Sequence, residues 1–140
     1  MRKIFFLFVF SFCAIQSFAQ LEKVLHQTID VDSINTIQVD IKGDVEIEIW
    51  VGNTILTETS VQLYDATPGI FKHFIETEKR YEVVSETNNS AIRLYSFDSV
   101  RNSIRTKRGE CFESVKVKVY IPDVFEVNDN LTMTRKIESN

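Results

Sequence analysis

Between Ile37 and Val51 every odd-numbered position except Gly43 is aliphatic: Ile37, Val39, Ile41, Val45, Ile47, Ile49 and Val51. The even positions Gln38, Asp40, Lys42, Asp44, Glu46 and Glu48 are polar or charged. Successive side chains of a strand point to opposite faces, so period-two patterning puts the aliphatics in a core and the acids in water. A helix would scatter the same residues around its axis. Gly43-Asp44 reads as a turn or bulge dividing two short strands, about 36–42 and 44–51, that share one apolar face. Gly52-Asn53 reads as a tight turn into the next strand.

The remaining chain continues in this style with one departure. Ile55, Thr57, Thr59, Val61 and Leu63 alternate with Leu56, Glu58, Ser60 and Gln62, which predicts a strand over 54–63. Thr67 and Pro68 then form a helix start, because a threonine hydroxyl caps free backbone N–H groups and proline suits the first turn. Ile70, Phe71, Phe74 and Ile75 make one apolar stripe, opposite Lys72, Glu76 and Lys79, so a short helical insertion is expected near 67–80. Tyr81–Glu86 and Ala91–Tyr95 predict two strands around an Asn88-Asn89-Ser90 turn. Residues 96–112 read as a long polar loop. Val115, Val117, Val119 and Ile121 mark a late strand that Pro122 ends. A last short strand around Leu131 and Met133 completes the domain 35–136, and a frayed tail over 137–140 follows it. Residues 20–34 read as a loosely held N-terminal arm with at most one edge strand.

The N-terminus carries an address. Arg2 and Lys3 precede an apolar run from Ile4 to Ile15, and Ser17-Phe18-Ala19 places small residues ahead of Gln20. That is the layout of a secretory signal peptide over 1–19, cleaved after Ala19. The run falls short of the roughly 20 residues a membrane span needs. The expectation is an exported protein, periplasmic or at the cell surface, with no transmembrane helix after processing. The segment holds two of the 16 basic residues and none of the 20 acidic ones, so the rest carries 14 against 20, about −6. That balance argues against nucleic acid as a partner, since backbone phosphates need a clustered positive field. Cys13 leaves with the signal, and Phe12 before it is too large for a lipidation site. Cys111 is then alone, with no disulfide partner, and reads as a buried thiol.

The stretch Ile34–Ser60 resembles the opening of the putative auto-transporter adhesin family with a head GIN domain, and its adhesin-like relatives. The matching features are Ile37 and Val39, the Gly43-Asp44-Val45-Glu46-Ile47 turn and strand, and Gly52-Asn53. Val115-Lys116-Val117-Lys118-Val119-Tyr120-Ile121-Pro122 is similar to that family's late strand with its aliphatic-Pro ending. The resemblance implies an exported, single-domain all-β fold of stacked parallel strands, β-solenoid-like, with no characterised enzymatic activity and an adhesin-like role in the envelope; no residue pattern calls for a cofactor. The chain departs from the pattern in having only four glycines, in its helical insertion and in lacking an internal repeat. Those departures keep a β-sandwich open as the alternative to the solenoid.

Several groups qualify as candidate chemistry. Asp44, Glu46 and Glu48, extended by Asp40, could offer oxygen ligands to a hard cation, but side chains two apart on one strand stand about 6–7 Å apart and form a poor cage alone. No metal site is assigned, and a solvated face is the expected role. Arg101, Arg105, Lys107 and Arg108 concentrate positive charge in an acidic domain. They would either meet an anionic glycan, phosphate or lipid headgroup, or fold back onto Glu46 or Glu48. His26 and His73 accompany no nucleophile elbow, zinc motif or phosphate loop, so no catalytic residue is assigned. Trp50, Tyr64, Tyr81, Tyr95 and Tyr120 could form an aromatic sugar platform, although aromatics in strands more often serve packing; Trp50 sits on the polar phase of its strand and is the aromatic candidate for ligand contact. The resulting expectation is a non-enzymatic binding or structural protein of the envelope, partnered by a glycan or another envelope protein. A small glycan- or metal-binding module is the alternative.

Overall fold

A computed structural model describes residues 20–129 and 131–137. The signal segment 1–19 and the tail residues 138–140 lie outside the described residues. The chain is mainly β with one short helical insertion, as its patterning requires. Among the described residues ten strands run in order: β1 (Leu21–Asp30), β2 (Thr36–Asp40), β3 (Asp44–Trp50), β4 (Thr54–Tyr64), β5 (Val83–Asn88), β6 (Ala91–Ser96), β7 (Ile104–Thr106), β8 (Gly109–Pro122), β9 (Phe125–Asp129) and β10 (Thr132–Arg135). The insertion between β4 and β5 is α1 (Pro68–Lys72), continued by a π turn over His73–Thr77.

The strands form two sheets. One has the order β1-β4-β8-β3, with β7 paired to the start of β8; the other runs β5-β6-β2-β10-β9. Pairing is antiparallel except for β2 with β6 and β3 with β8. The arrangement is that of the sandwich alternative, with parallel stacking confined to those two pairs.

Their inward faces meet in one core of Ile37, Val39, Ile55, Ile92, Leu94, Val117, Val119, Ile121, Phe125 and Met133, with Ile41, Val45 and Ile47 packed against it. Burying each such side chain contributes about 1.5–3 kcal/mol. A second cluster, Val61, Leu63, Phe71, Tyr81, Ile104 and Cys111, lies where the helical insertion covers the far end of β4 and β8. Between the two clusters the inward positions of β4 are Thr57 and Thr59. Both are buried, and neither hydroxyl has a hydrogen-bond partner.

Four sequence expectations are corrected. Strands 36–42 and 44–51 do share an apolar core, but from opposite sheets: at Gly43, with φ of +114°, the chain leaves one sheet for the other. Gly52-Asn53 does not close a hairpin, because β3 and β4 flank β8 on either side and the turn crosses the end of β8. Trp50 folds over this turn: its Nε1 donates to the Thr54 carbonyl at 3.0 Å, and a Cβ on Gly52 would lie 2.3 Å from the indole. The N-terminal arm has the one edge strand allowed for it but is not loosely held, since β1 pairs with β4 along all ten residues. The Gln27 side chain ties β1 to the second sheet, its amide donating to and accepting from the Val83 backbone at 2.9 Å each. Finally, the polar stretch 96–112 is only partly loop, since Thr106 and Gly109 close a hairpin that joins β7 to β8.

The insertion begins as its sequence demands. Thr67 Oγ1 accepts from the Ile70 N–H at 3.3 Å and Pro68 occupies the first turn. After Lys72 the hydrogen bonds span more residues at the same distance, Glu78 N–H reaching His73 O and Arg80 N–H reaching Phe74 O, each at 3.0 Å. This widening keeps Phe74 and Ile75 against the second cluster and carries Arg80 inward. No helix among the described residues is long and apolar enough to cross a membrane.

Candidate functional site

The strongest concentration of chemistry lies beneath the insertion. Arg80, 5% exposed, is held on all sides. Its Nε and Nη2 donate to Glu113 Oε2 and Oε1 at 3.1 and 2.8 Å, a bidentate pairing that matches the planar guanidinium. Nη1 donates to Asp98 at 3.1 Å and Nη2 also to the Asn102 carbonyl at 2.7 Å. Tyr81 Oη donates to Glu113 Oε2 at 2.8 Å. Burial alone would lower the Arg80 pKa, but the hydrogen bond and charge of Glu113 outweigh it and raise the value. Burial, followed by the bond to Glu113, holds Tyr81 well above the ordinary tyrosine value, so it stays a neutral donor.

This hub ties the insertion to the 98–106 segment and to β8, and a cleft of about 480 Å³ opens beside it. Ile70, Phe74 and Ile104 form its apolar surface; Arg80, Arg105 and the Asn102–Ser103 segment supply its polar part. Arg80 spends its charge on Glu113 and Asp98, whereas the Arg105 side chain is exposed at the rim with no ion-pair partner among the described residues. His73 also lines the cleft, 3.2 Å from Glu78 and edge-on to Phe74. The arrangement offers an apolar wall with one free guanidinium, suited to a small ligand that carries an anionic group on an apolar body.

The four basic candidates are therefore separated. Arg101 turns inward: its guanidinium lies 5.8 Å from the Tyr81 ring centre and its Nε is buried without a partner. Burial lowers its pKa, only partly offset by Glu113. The inward turn follows from its backbone, since Asp98 Oδ1 accepts from the N–H groups of Val100 and Arg101, and Arg101 adopts φ of +41°. Arg105 reaches the cleft, while Lys107 and Arg108 are exposed at the β7–β8 turn. None of the four pairs with Glu46 or Glu48. Lys118, from the neighbouring strand, meets those acids at 3.8 and 3.2 Å, so the fold-back expectation is corrected. Lys118 has its pKa raised chiefly by the hydrogen bond to Glu48.

The other candidates are placed as plainly. Asp40 pairs with Arg93, and among the described residues no group of three His, Cys, Asp or Glu is gathered to hold a metal ion. Trp50 lies with Tyr120, edge to face at 6.3 Å, apart from the cleft lining. His26 pairs with Glu58 at 3.3 Å. Cys111 is buried, donates to the Asp65 carbonyl and has its pKa raised by burial. Sequence reasoning missed Arg80, Glu113, Asp98 and Tyr81 as a unit. The only local signal was Asp98 ahead of a turn. Neither a family model, a curated protein nor a solved structure matches this chain.

Proposed function

We propose that this is an exported, non-enzymatic binding protein of the bacterial envelope, adhesin-like in role, with the cleft beneath α1 as its recognition site. The cleft itself carries the reading: an apolar wall of Ile70, Phe74 and Ile104 beside the unpaired Arg105. The Arg80–Glu113 hub keeps that wall in place, so the site is formed before a ligand arrives, which lowers the ordering cost of binding. The N-terminal pattern supports export, and the acidic balance supports solubility outside the cytoplasm. The ligand class is an anionic group on a small apolar body, as envelope lipids and acylated glycans present.

Octanoate, octyl phosphate and octylamine, titrated below their micelle concentrations into the purified protein, test this by amide NMR. Both anions are expected to shift residues 69–80 and 102–106, and Arg105→Glu to abolish those shifts. Equal response to the amine, or shifts confined to other regions, would refute the reading.

A further inference from the structure

We propose that the free edge of β3 is a docking site for an extended segment of a second protein, in which Lys or Arg alternates with aliphatic residues. β3 pairs with β8 alone, and among the described residues its other edge has no backbone partner over Asp44–Trp50. The ladder is unbroken, and the strand contains no proline and no lysine, the usual devices that blunt an edge. The opposite edge of this sheet differs. β1 carries Lys23 on its inward phase, a charge that deters a further strand. The β5 edge of the other sheet is capped at Val83 by Gln27.

The chemistry of the guest follows from a row of side chains that crosses the sheet in register. His26 on β1 faces Glu58 on β4, Glu58 faces Lys118 on β8, and Lys118 faces Glu46 on β3. Basic and acidic residues alternate along the row, which ends on an acid at the open edge. The next position outward is a cation, because opposite charges on adjacent strands stabilise a pair and like charges destabilise it. Glu48 and Asp44 repeat the demand on either side. On the other face Val45 and Ile47 are only partly buried and Ile49 is 48% exposed, so aliphatic residues of the guest would complete their burial. The chain contains its own example: Val115-Lys116-Val117-Lys118-Val119 occupies the other side of β3, with Lys116 opposite Asp44 and Val117 opposite Val45.

A second copy is the wrong guest. Antiparallel pairing of β3 with itself about Ile47 sets Glu46 against Glu48, and parallel pairing sets each acid against its twin. The acids thus suppress self-association while favouring a basic strand.

The probe is a blocked peptide with the sequence of residues 114–121, compared with the same peptide carrying Glu at both lysine positions. The lysine peptide is expected to bind at least tenfold more tightly at low salt, with the difference shrinking at high salt. Its binding should slow amide hydrogen exchange across 44–50. Glu46→Gln is expected to weaken it, and the Glu46→Lys/Glu48→Lys variant, if folded by circular dichroism, to reverse the preference. Equal affinity of the two peptides, protection on β1 or β9 instead of β3, or a dimer that protects β3 without peptide would each overturn the proposal.

Discussion

Replacing Thr57 by Val exchanges a buried hydroxyl for a methyl of nearly the same shape, in a strand that favours β-branched residues. The Thr57 and Thr59 side chains are 0% and 1% exposed, and neither Oγ1 has a donor or acceptor within reach. A buried hydroxyl without a partner costs about 1–3 kcal/mol of lost hydration. The methyl instead joins apolar neighbours, since Thr57 sits beside Val119 and Thr59 beside Val117 on β8. Each substitution is therefore expected to stabilise by about 1 kcal/mol, and the pair by about 2, with some coupling because the residues are adjacent on one face. For a domain of this size 1 kcal/mol corresponds to roughly 4 °C in Tm. Urea unfolding followed by the single tryptophan, Trp50, reads the change as a higher midpoint at unchanged slope. Thr57→Ala is the control: it removes the same hydroxyl but leaves space, so it should fall below the Val variant by about 1 kcal/mol. A midpoint for Thr57→Val below that of the unsubstituted protein would refute the reasoning, because it would mean that the hydroxyl has a partner.

The Arg80 hub makes the opposite prediction. Glu113→Gln keeps the shape but leaves the buried guanidinium without its bidentate carboxylate, so unfolding free energy should fall by about 3 kcal/mol, measured by urea titration. The hub also gives alkaline sensitivity. Tyr81 holds its proton far above the usual value near 10, so its contribution is present in full up to that pH and is lost as the pH rises further, when the unfolded chain ionises and the folded chain does not. Stability should therefore drop by up to about 1.4 kcal/mol per pH unit more in the unsubstituted protein than in Tyr81→Phe, and parallel curves would contradict the assignment.

What the sequence made legible was local. Period-two runs located β2, β3, β4 and the second half of β8, and Thr67-Pro68 located the helix start, because each signal lies within a few residues of the structure it specifies. The partition into sheets was hidden for a physical reason. The aliphatic phase continues through Gly43 unchanged, since β2 and β3 face the same core from opposite sides, and a period cannot distinguish one sheet from two facing ones. The length and firm pairing of the strand in the arm were hidden because its outward positions Glu22, His26 and Asp30 are polar and its pairing lies wholly with β4. The site was illegible for the same kind of reason. Arg80 meets Glu113 and Asp98 only through the fold, and the basic run 101–108 gave no sign that Arg101 would turn inward while Arg105 faced the cleft. The π turn that delivers Arg80 leaves no mark in an apolar stripe of ordinary helical spacing.

The position of β2 has a consequence for how the chain reaches its final form. Its two neighbours are Ala91–Tyr95 on one side and Thr132–Thr134 on the other, and β3 leans on Lys116–Pro122. A polypeptide delivered N-terminus first therefore presents its two most strand-like stretches long before either has anything to lean on. Only when residues 132–134 arrive can the middle of the second sheet close, and such non-local pairing is slow to form. Loss of β10 would leave β2 covered on one side only, which makes Thr132–Arg135 as necessary to the interior as any residue at its centre.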